Sequence, residues 1–183
     1  TDVFHVKPNM AFGYSMGEAN MMSALEVWKD PKLLENRFKE SDIFRNKLHG
    51  ELNTIKGLWS IKDTSGESLW ATFTLKANKE SVEESIKKLK LTRVYLSLIN
   101  TDDNVVICGE PEQCKKLIGN LTCRSIPMGF VPAIHCPPTH EEYEGIAELY
   151  SLETVAGSDI KLYSSSCYLP VPVRKKAIAY AVS

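Results

Sequence analysis

The chain has 183 residues, 43% hydrophobic and 25% charged, which is long enough to bury a core and ordinary for a globular protein. Lys and Arg number 22 against 23 Asp and Glu, and the net charge of -1 gives no general reason to expect nucleic acid or an anionic membrane surface as partner. No apolar run approaches the roughly 20 residues that span a bilayer, and the first residues lack the apolar stretch of a secretory signal, so the chain reads as cytoplasmic.

Met10-Ala11-Phe12 is a short apolar run read as a strand, followed at once by Gly13-Tyr14-Ser15-Met16-Gly17 and then by helical character over Ala19–Leu25. Asp30-Pro31 breaks that helix and Lys32–Lys39 restarts one, proline being compatible with a first helical turn. Ser41–Ile55 is predicted as a further helix, with Ile43, Phe44, Leu48, Leu52 and Ile55 on one apolar face. The polar stretch Lys62–Glu67 marks a boundary, after which the periodicity changes. Trp70–Lys76 alternates like a strand, Lys79–Leu89 is a helix, Val94–Ile99 and Val105–Cys108 are strands, Pro111–Ile118 is a helix and Thr122–Met128 a last strand. That order, β-α-β-β-α-β, is the signature of a ferredoxin-like unit. A proline-rich loop, GFVPAIHCPPTH, follows, then a helix over Glu141–Leu149, a strand over Ile160–Ser164 and the start of a helix at Lys175–Val182.

The pattern Gly13-x-Ser15-x-Gly17 between a strand and a helix fits a nucleophile elbow, in which small residues let the backbone close and the serine hydroxyl stands clear of the sheet. The helix start would aim the Met16 amide at an oxyanion. A serine nucleophile needs a base, and His5, His49, His135 and His140 are the histidines of the chain. His5 and His49 read as exposed residues without a task, and Glu141 and Glu142 beside His140 suggest a solvated helix start, whereas prolines flank His135 and can hold its loop in place. Cys136 adjoins His135, but neighbours on an extended chain point to opposite sides, so the two do not pair easily. Met10, Met16, Met21 and Met22 read as core filler, and Lys87-Lys88-Leu89-Lys90 as a solvated helix end. The five cysteines, Cys108, Cys114, Cys123, Cys136 and Cys167, form no C-x-x-C pair, which suits free thiols better than disulfides or a zinc site.

GYSMGEANMMSALEVW, YLSLINTDDNVVICGEPEQCKKL and the PAIHCPP loop together resemble the malonyl/acyl-CoA:acyl-carrier-protein transacylases, most of all the acyltransferase domains of polyunsaturated-fatty-acid synthases. The resemblance runs from about Met10 to the C-terminus. It implies an α/β fold: a partial α/β-hydrolase-like large subdomain over residues 1–66, a ferredoxin-like small subdomain over 67–129 and a return to the large subdomain over 130–183 that carries the histidine loop. It implies that Ser15 is the nucleophile, His135 the general base that protonates the leaving thiol, the Met16 backbone an oxyanion donor and Asn100 a residue close to the pocket. The reaction would be ping-pong: acyl-CoA loads Ser15, and the phosphopantetheine thiol of an acyl carrier protein removes the acyl group, with no bound metal or redox cofactor. Partners would be the carrier protein and the other domains of a multifunctional synthase.

Malonyl-specific members of that family place an arginine about twenty-five residues after the serine, where its fork can grip a carboxylate. Glu40 stands at that position, Arg37 lies one helical turn earlier as the candidate substitute, and Pro132-Ala133-Ile134 matches neither tetrapeptide used for malonyl or methylmalonyl units. An uncharged acyl group is therefore the alternative substrate. The family's N-terminal third, with a second oxyanion donor, has no counterpart here, so the expectation is an excised piece of a larger protein with low activity alone. Two other readings stand beside the acyltransferase: a non-catalytic carrier-protein docking module built on the ferredoxin-like block, and a serine esterase or thioesterase, whose triad usually runs serine, acid, histidine.

Overall fold

The computed structural model of the chain describes residues 5, 8–62, 65–129, 132–155, 159–166 and 168–182. In chain order the elements are β1 (Met10–Phe12), α1 (Met16–Ala24), α2 (Pro31–Glu40), a π-helical segment (Ile43–Lys47), α3 (Asn53–Trp59), α4 (Gly66–Leu69), β2 (Ala71–Leu75), α5 (Lys79–Leu89), β3 (Val94–Thr101), β4 (Asn104–Gly109), α6 (Pro111–Leu121) and β5 (Ser125–Pro127), then a 3-10 segment (Pro137–Glu142), α7 (Tyr143–Leu149), β6 (Lys161–Tyr163), β7 (Pro170–Val171) and α8 (Lys175–Val182). They form two compact units, one from the two ends of the chain, Thr1–Ser41 with Tyr143–Ser183, and one from Asp42–Glu142. No helix among the described residues is long and apolar enough to cross a membrane.

In the terminal unit β1 lies parallel to β6, with Met10 opposite Lys161 and Phe12 opposite Tyr163, and β7 runs antiparallel to β6. Behind this sheet, Ala19, Met21 and Met22 of α1 pack with Val27, Trp28, Leu152, Leu162, Val171 and Ile178. Asp30 caps α2 by accepting from the amides of Lys32 and Leu33 at 3.1 and 3.3 Å, with Pro31 at the first position, where its missing N–H is no loss. Of the four methionines read as core filler, Met21 and Met22 are buried, whereas Met10 and Met16 are exposed.

The central unit holds a four-stranded antiparallel sheet in the order β3-β4-β2-β5, in which β2 and β3 run the same way with β4 between them. The helix over Lys79–Leu89 and the strand order follow the expected β-α-β-β-α-β pattern, because each element has its own clear period. Both faces of β4 are covered, which is why VVIC reads as an unbroken apolar run. Val105 and Ile107 face Val82, Cys114 and Leu117, while Cys108 belongs to a second cluster with Leu52, Ile55, Trp59, Trp70, Ala133 and Cys136.

That second cluster explains two differences from the sequence reading. The compact units divide at 41/42 and 142/143, not at 66/67 and 129/130, because α3 and the residue 132–142 segment are packed against the sheet face opposite α5 and α6. The predicted Ser41–Ile55 helix is two short ones. Gly50 sits at φ 57°, where an added Cβ would lie 2.3 Å from the Arg45 carbonyl oxygen, and Leu52 is left-handed at φ 56° and ψ 45°. The apolar positions Leu48, Leu52 and Ile55 are all fully buried nonetheless. Helix α4 and strand β7 were not anticipated; Asp63 and Thr64 of the expected boundary lie outside the described residues.

Candidate active site

Ser15 sits between β1 and α1 at φ 53° and ψ -125°, a backbone conformation that costs a non-glycine residue on the order of 1–3 kcal/mol. The amides of Gly17 and Glu18 turn back to the carbonyls of Tyr14 and Ser15 at 2.9 Å each. Met16 is at the first helical position of α1, where an N–H has no carbonyl of its own helix to reach. The two glycines of the motif differ in role. A Cβ on Gly13 would lie 2.2 Å from the Gly17 carbonyl carbon and 2.3 Å from the Glu18 nitrogen, whereas a Cβ on Gly17 meets open space. Close approach is required at the first glycine only.

Under this turn the Glu18 side chain is 3% exposed. Its Oε1 accepts from the Ser165 amide and hydroxyl, both at 2.6 Å, and the Ser164 hydroxyl lies 3.2 and 3.4 Å from its two oxygens. Ser164 is itself bonded to Ser166, the two hydroxyls being 2.7 Å apart. Burial, and then the Glu18 charge, pushes the Tyr150 hydroxyl up to about 12. The sequence reading missed Glu18 and the serine triplet. The available signal was an acid on the apolar side of α1, next to Ala19 and near Met22, together with three successive serines far along the chain.

His135 lies in the central unit, on the loop before the 3-10 segment, at φ 54°, a left-handed value that histidine adopts more readily than most residues. Its loop is held on both sides. The Ala133 amide donates to the Leu48 carbonyl at 2.7 Å, the Thr139 hydroxyl donates to the Ala133 carbonyl at 3.0 Å, and the Thr139 amide to the Cys136 carbonyl at 2.9 Å. Ala133 and Cys136 are buried and His135 is exposed, so the imidazole is presented outward by a fixed backbone. Cys136 faces inward beside Cys108. The hydrogen bond to Cys136 and burial hold the Cys108 thiol well above its ordinary range.

The prolines after His135 form one wall of a groove of about 460 Å³ whose other residues include Trp59, Arg93 and Tyr95. Trp59, Trp70 and Tyr95 stack in series, with ring centroids 5.8 and 6.1 Å apart. Arg93 is committed there: it pairs with Glu110 at 3.1 Å, donates to the Trp59 carbonyl at 3.2 Å and lies 5.1 Å from the Trp59 ring centroid.

Arg37, expected as a possible carboxylate ligand, is engaged elsewhere. Its Nη1 donates to the carbonyls of Glu148, Leu149 and Ser151 at 2.8, 3.2 and 3.1 Å, a cationic cap on the C-terminus of α7. The reason is tertiary, since α2 packs on α7. Asn100, near the end of β3, donates from its side chain to Asn104 at 2.8 Å and so braces the β3–β4 hairpin. Glu40, the last residue of α2, is exposed.

No protein-family model matches the chain. Over 169 residues, 90% of this chain, it is 28% identical to one of the large polypeptides of a polyunsaturated fatty acid synthase from a Thraustochytrium species, and the chain spans 8% of that protein's length. Among solved structures it is similar to the malonyl-CoA acyl-carrier-protein transacylase of Burkholderia pseudomallei, with TM-score 0.71, 16% identity and coverage of 99% of this chain and 57% of that one. It is also similar to an acyltransferase domain of the salinomycin polyketide synthase, with TM-score 0.67, 15% identity and coverage of 97% and 38%. A type II polyketide malonyl-transacylase in complex with its acyl-carrier protein matches at TM-score 0.69 and 15% identity over 99% of this chain and 56% of that one. The chain thus has the mixed α/β fold of the transacylases and synthase acyltransferase domains, and it is a sequence relative of one segment of a polyunsaturated-fatty-acid synthase.

Proposed function

We propose that the chain is an acyltransferase-domain segment that moves an acyl group from acyl-CoA to the phosphopantetheine thiol of an acyl carrier protein. The observation that carries this is Ser15: a serine in a strained turn between β1 and the start of α1, in a fold otherwise found in transacylases. In this reading the Ser15 hydroxyl attacks the thioester carbonyl while His135 takes its proton. The Met16 amide donates to the developing oxyanion. As the tetrahedral intermediate collapses the C–S bond breaks, and the His135 proton passes to the departing sulfur. The carrier-protein thiol then reverses these steps on the Ser15 ester, with the residues of this chain and no metal supplying the acid, base and nucleophile. The β-α-β-β-α-β unit is taken as the ferredoxin-like small subdomain.

An uncharged acyl group suits the residues better than malonyl. Glu40 replaces the expected arginine, and Arg37 and Arg93 are both bound to groups of the protein itself. Incubation of the protein with radiolabelled acetyl-, malonyl- and longer acyl-CoA is expected to leave label on Ser15, absent in Ser15→Ala and strongly reduced in His135→Ala. Label retained by the Ser15→Ala protein would refute the nucleophile assignment. Carrier-protein binding that persists while no acyl-CoA labels the parent chain would favour the docking-module reading.

A further inference from the structure

The acyl-transfer chemistry just described uses Ser15, Met16 and His135 and leaves a buried carboxylate without a task. Glu18 is the third residue of α1, directly after the G-x-S-x-G motif, and it is 3% exposed. A buried carboxylate is expensive unless its lone pairs are filled. Here they are filled by hydroxyls and an amide of the turn between β6 and β7: the Ser165 amide and hydroxyl at 2.6 Å and the Ser164 hydroxyl at 3.2 and 3.4 Å. The Ser164 hydroxyl is in turn fixed: its single proton is shared between Glu18 and the Ala181 carbonyl of α8 at 3.3 Å, and its oxygen accepts from the Ser166 amide at 3.1 Å. The carboxylate also sits in the first turn of α1, where the helix dipole favours negative charge.

We propose that Glu18 is a positioning residue for Ser15: its carboxylate ties the first turn of α1 to the Ser164–Ser166 turn and so keeps the serine in its strained elbow. The inference rests on the assignment of Ser15 as the nucleophile, and it adds a device that assignment does not contain. The mechanical link is short. The Glu18 amide donates to the Ser15 carbonyl at 2.9 Å, and the Gly13 backbone lies so close to Gly17 and Glu18 that this turn cannot shift without moving the chain on either side of Ser15. A strained backbone persists only where its surroundings over-determine it. Releasing Glu18 from the serine turn removes one of the restraints that hold the elbow, the close contact at Gly13 being another.

The test compares Glu18→Ala, Glu18→Gln and Ser165→Ala in the 183-residue chain, with two readouts. The first is amide hydrogen exchange of Gly17 and Glu18, referred to Val105–Ile107 of β4 in the other unit. The second is the rate at which a fluorophosphonate probe modifies Ser15. In Glu18→Ala the protection of Gly17 and Glu18 is expected to fall by roughly 10- to 100-fold, as for loss of one or two charge-assisted hydrogen bonds, with β4 unchanged and Ser15 labelling slowed by about tenfold or more. Glu18→Gln keeps an acceptor for the Ser165 amide and is expected to restore both readouts to within about threefold. If Glu18→Ala does not fold, Ser165→Ala carries the test, with a smaller change in the same direction. Unchanged exchange at Gly17 and Glu18 in a folded variant would overturn the proposal, and so would lost protection with undiminished labelling. Failure of the probe to label Ser15 in the parent chain refutes the nucleophile assignment instead, and the exchange data alone then decide whether Glu18 holds the turn.

Discussion

The two glycines of the elbow are identical in the motif and opposite in the structure, which makes Gly13→Ala and Gly17→Ala a decisive pair. At Gly13 the added Cβ would stand 2.2 Å from the Gly17 carbonyl carbon and 2.3 Å from both the Gly17 oxygen and the Glu18 nitrogen. These are backbone atoms that no rotamer change can remove, so the β1–α1 junction has to open. Overpacking of this kind costs about 3 kcal/mol or more. At Gly17 the Cβ meets open space and the residue is helical, so alanine gains roughly 0.5–1 kcal/mol by reducing the freedom of the unfolded chain. Urea unfolding followed by circular dichroism reads the contrast. With a slope of about 1–3 kcal/mol per molar, Gly13→Ala is expected to lower the midpoint by about 1–3 M, and Gly17→Ala to leave it equal or slightly higher. A Gly13→Ala protein as stable as the parent, or a Gly17→Ala protein less stable than Gly13→Ala, would refute the steric reasoning.

Arg37→Ala removes three hydrogen bonds to the end of α7 and is expected to destabilise the chain by roughly 1–2 kcal/mol, while the ratio of malonyl to acetyl loading stays the same. A selective loss of malonyl loading would show that Arg37 binds substrate after all. Arg37→Lys is expected to recover part of the loss, because all three bonds come from one nitrogen and an ammonium also carries three donors on one nitrogen. Tyr150, pushed up to about 12 from 10.0, provides a pH test. Its raised value means that the fold favours the neutral phenol, so its contribution is fully present below pH 10 and is lost as pH rises through about 12, a change of roughly 2–3 kcal/mol. Alkaline titration at 295 nm should show a late-ionising component near pH 12 that disappears in Tyr150→Phe, and the same substitution should flatten the fall in stability above pH 10. Ionisation of every tyrosine by pH 11 in the folded chain would contradict this environment.

Elements whose residues carry an unambiguous period were legible without coordinates. Lys79–Leu89 is the observed α5 to the residue, WATFTLK contains β2, and VYLSLI and VVIC lie within the longer β3 and β4. Ser15 was legible for the same reason, since a glycine-flanked serine between an apolar strand and a helix has few other geometries open to it. The Ser41–Ile55 segment was not, because its apolar spacing fits a helix while Gly50 and Leu52 adopt left-handed backbone that spacing does not encode. His135 was singled out by its prolines, but what fixes its loop is burial of Ala133 and Cys136 and bonds to Leu48 and Thr139.

The sequence by itself therefore determined the order of strands and helices from β2 to β5, the placement of Ser15 at a helix start and the burial of Leu48, Leu52 and Ile55, since each follows from periodicity or composition within a few residues. Only the tertiary structure decided which polar groups meet. Arg37 finds the carbonyls of α7 more than a hundred residues away, and Glu18 finds Ser164 and Ser165 at a similar separation. Such partnerships depend on how packed elements bring distant segments together, and a carboxylate or guanidinium in a one-dimensional string carries no mark of which donor or acceptor will fill it.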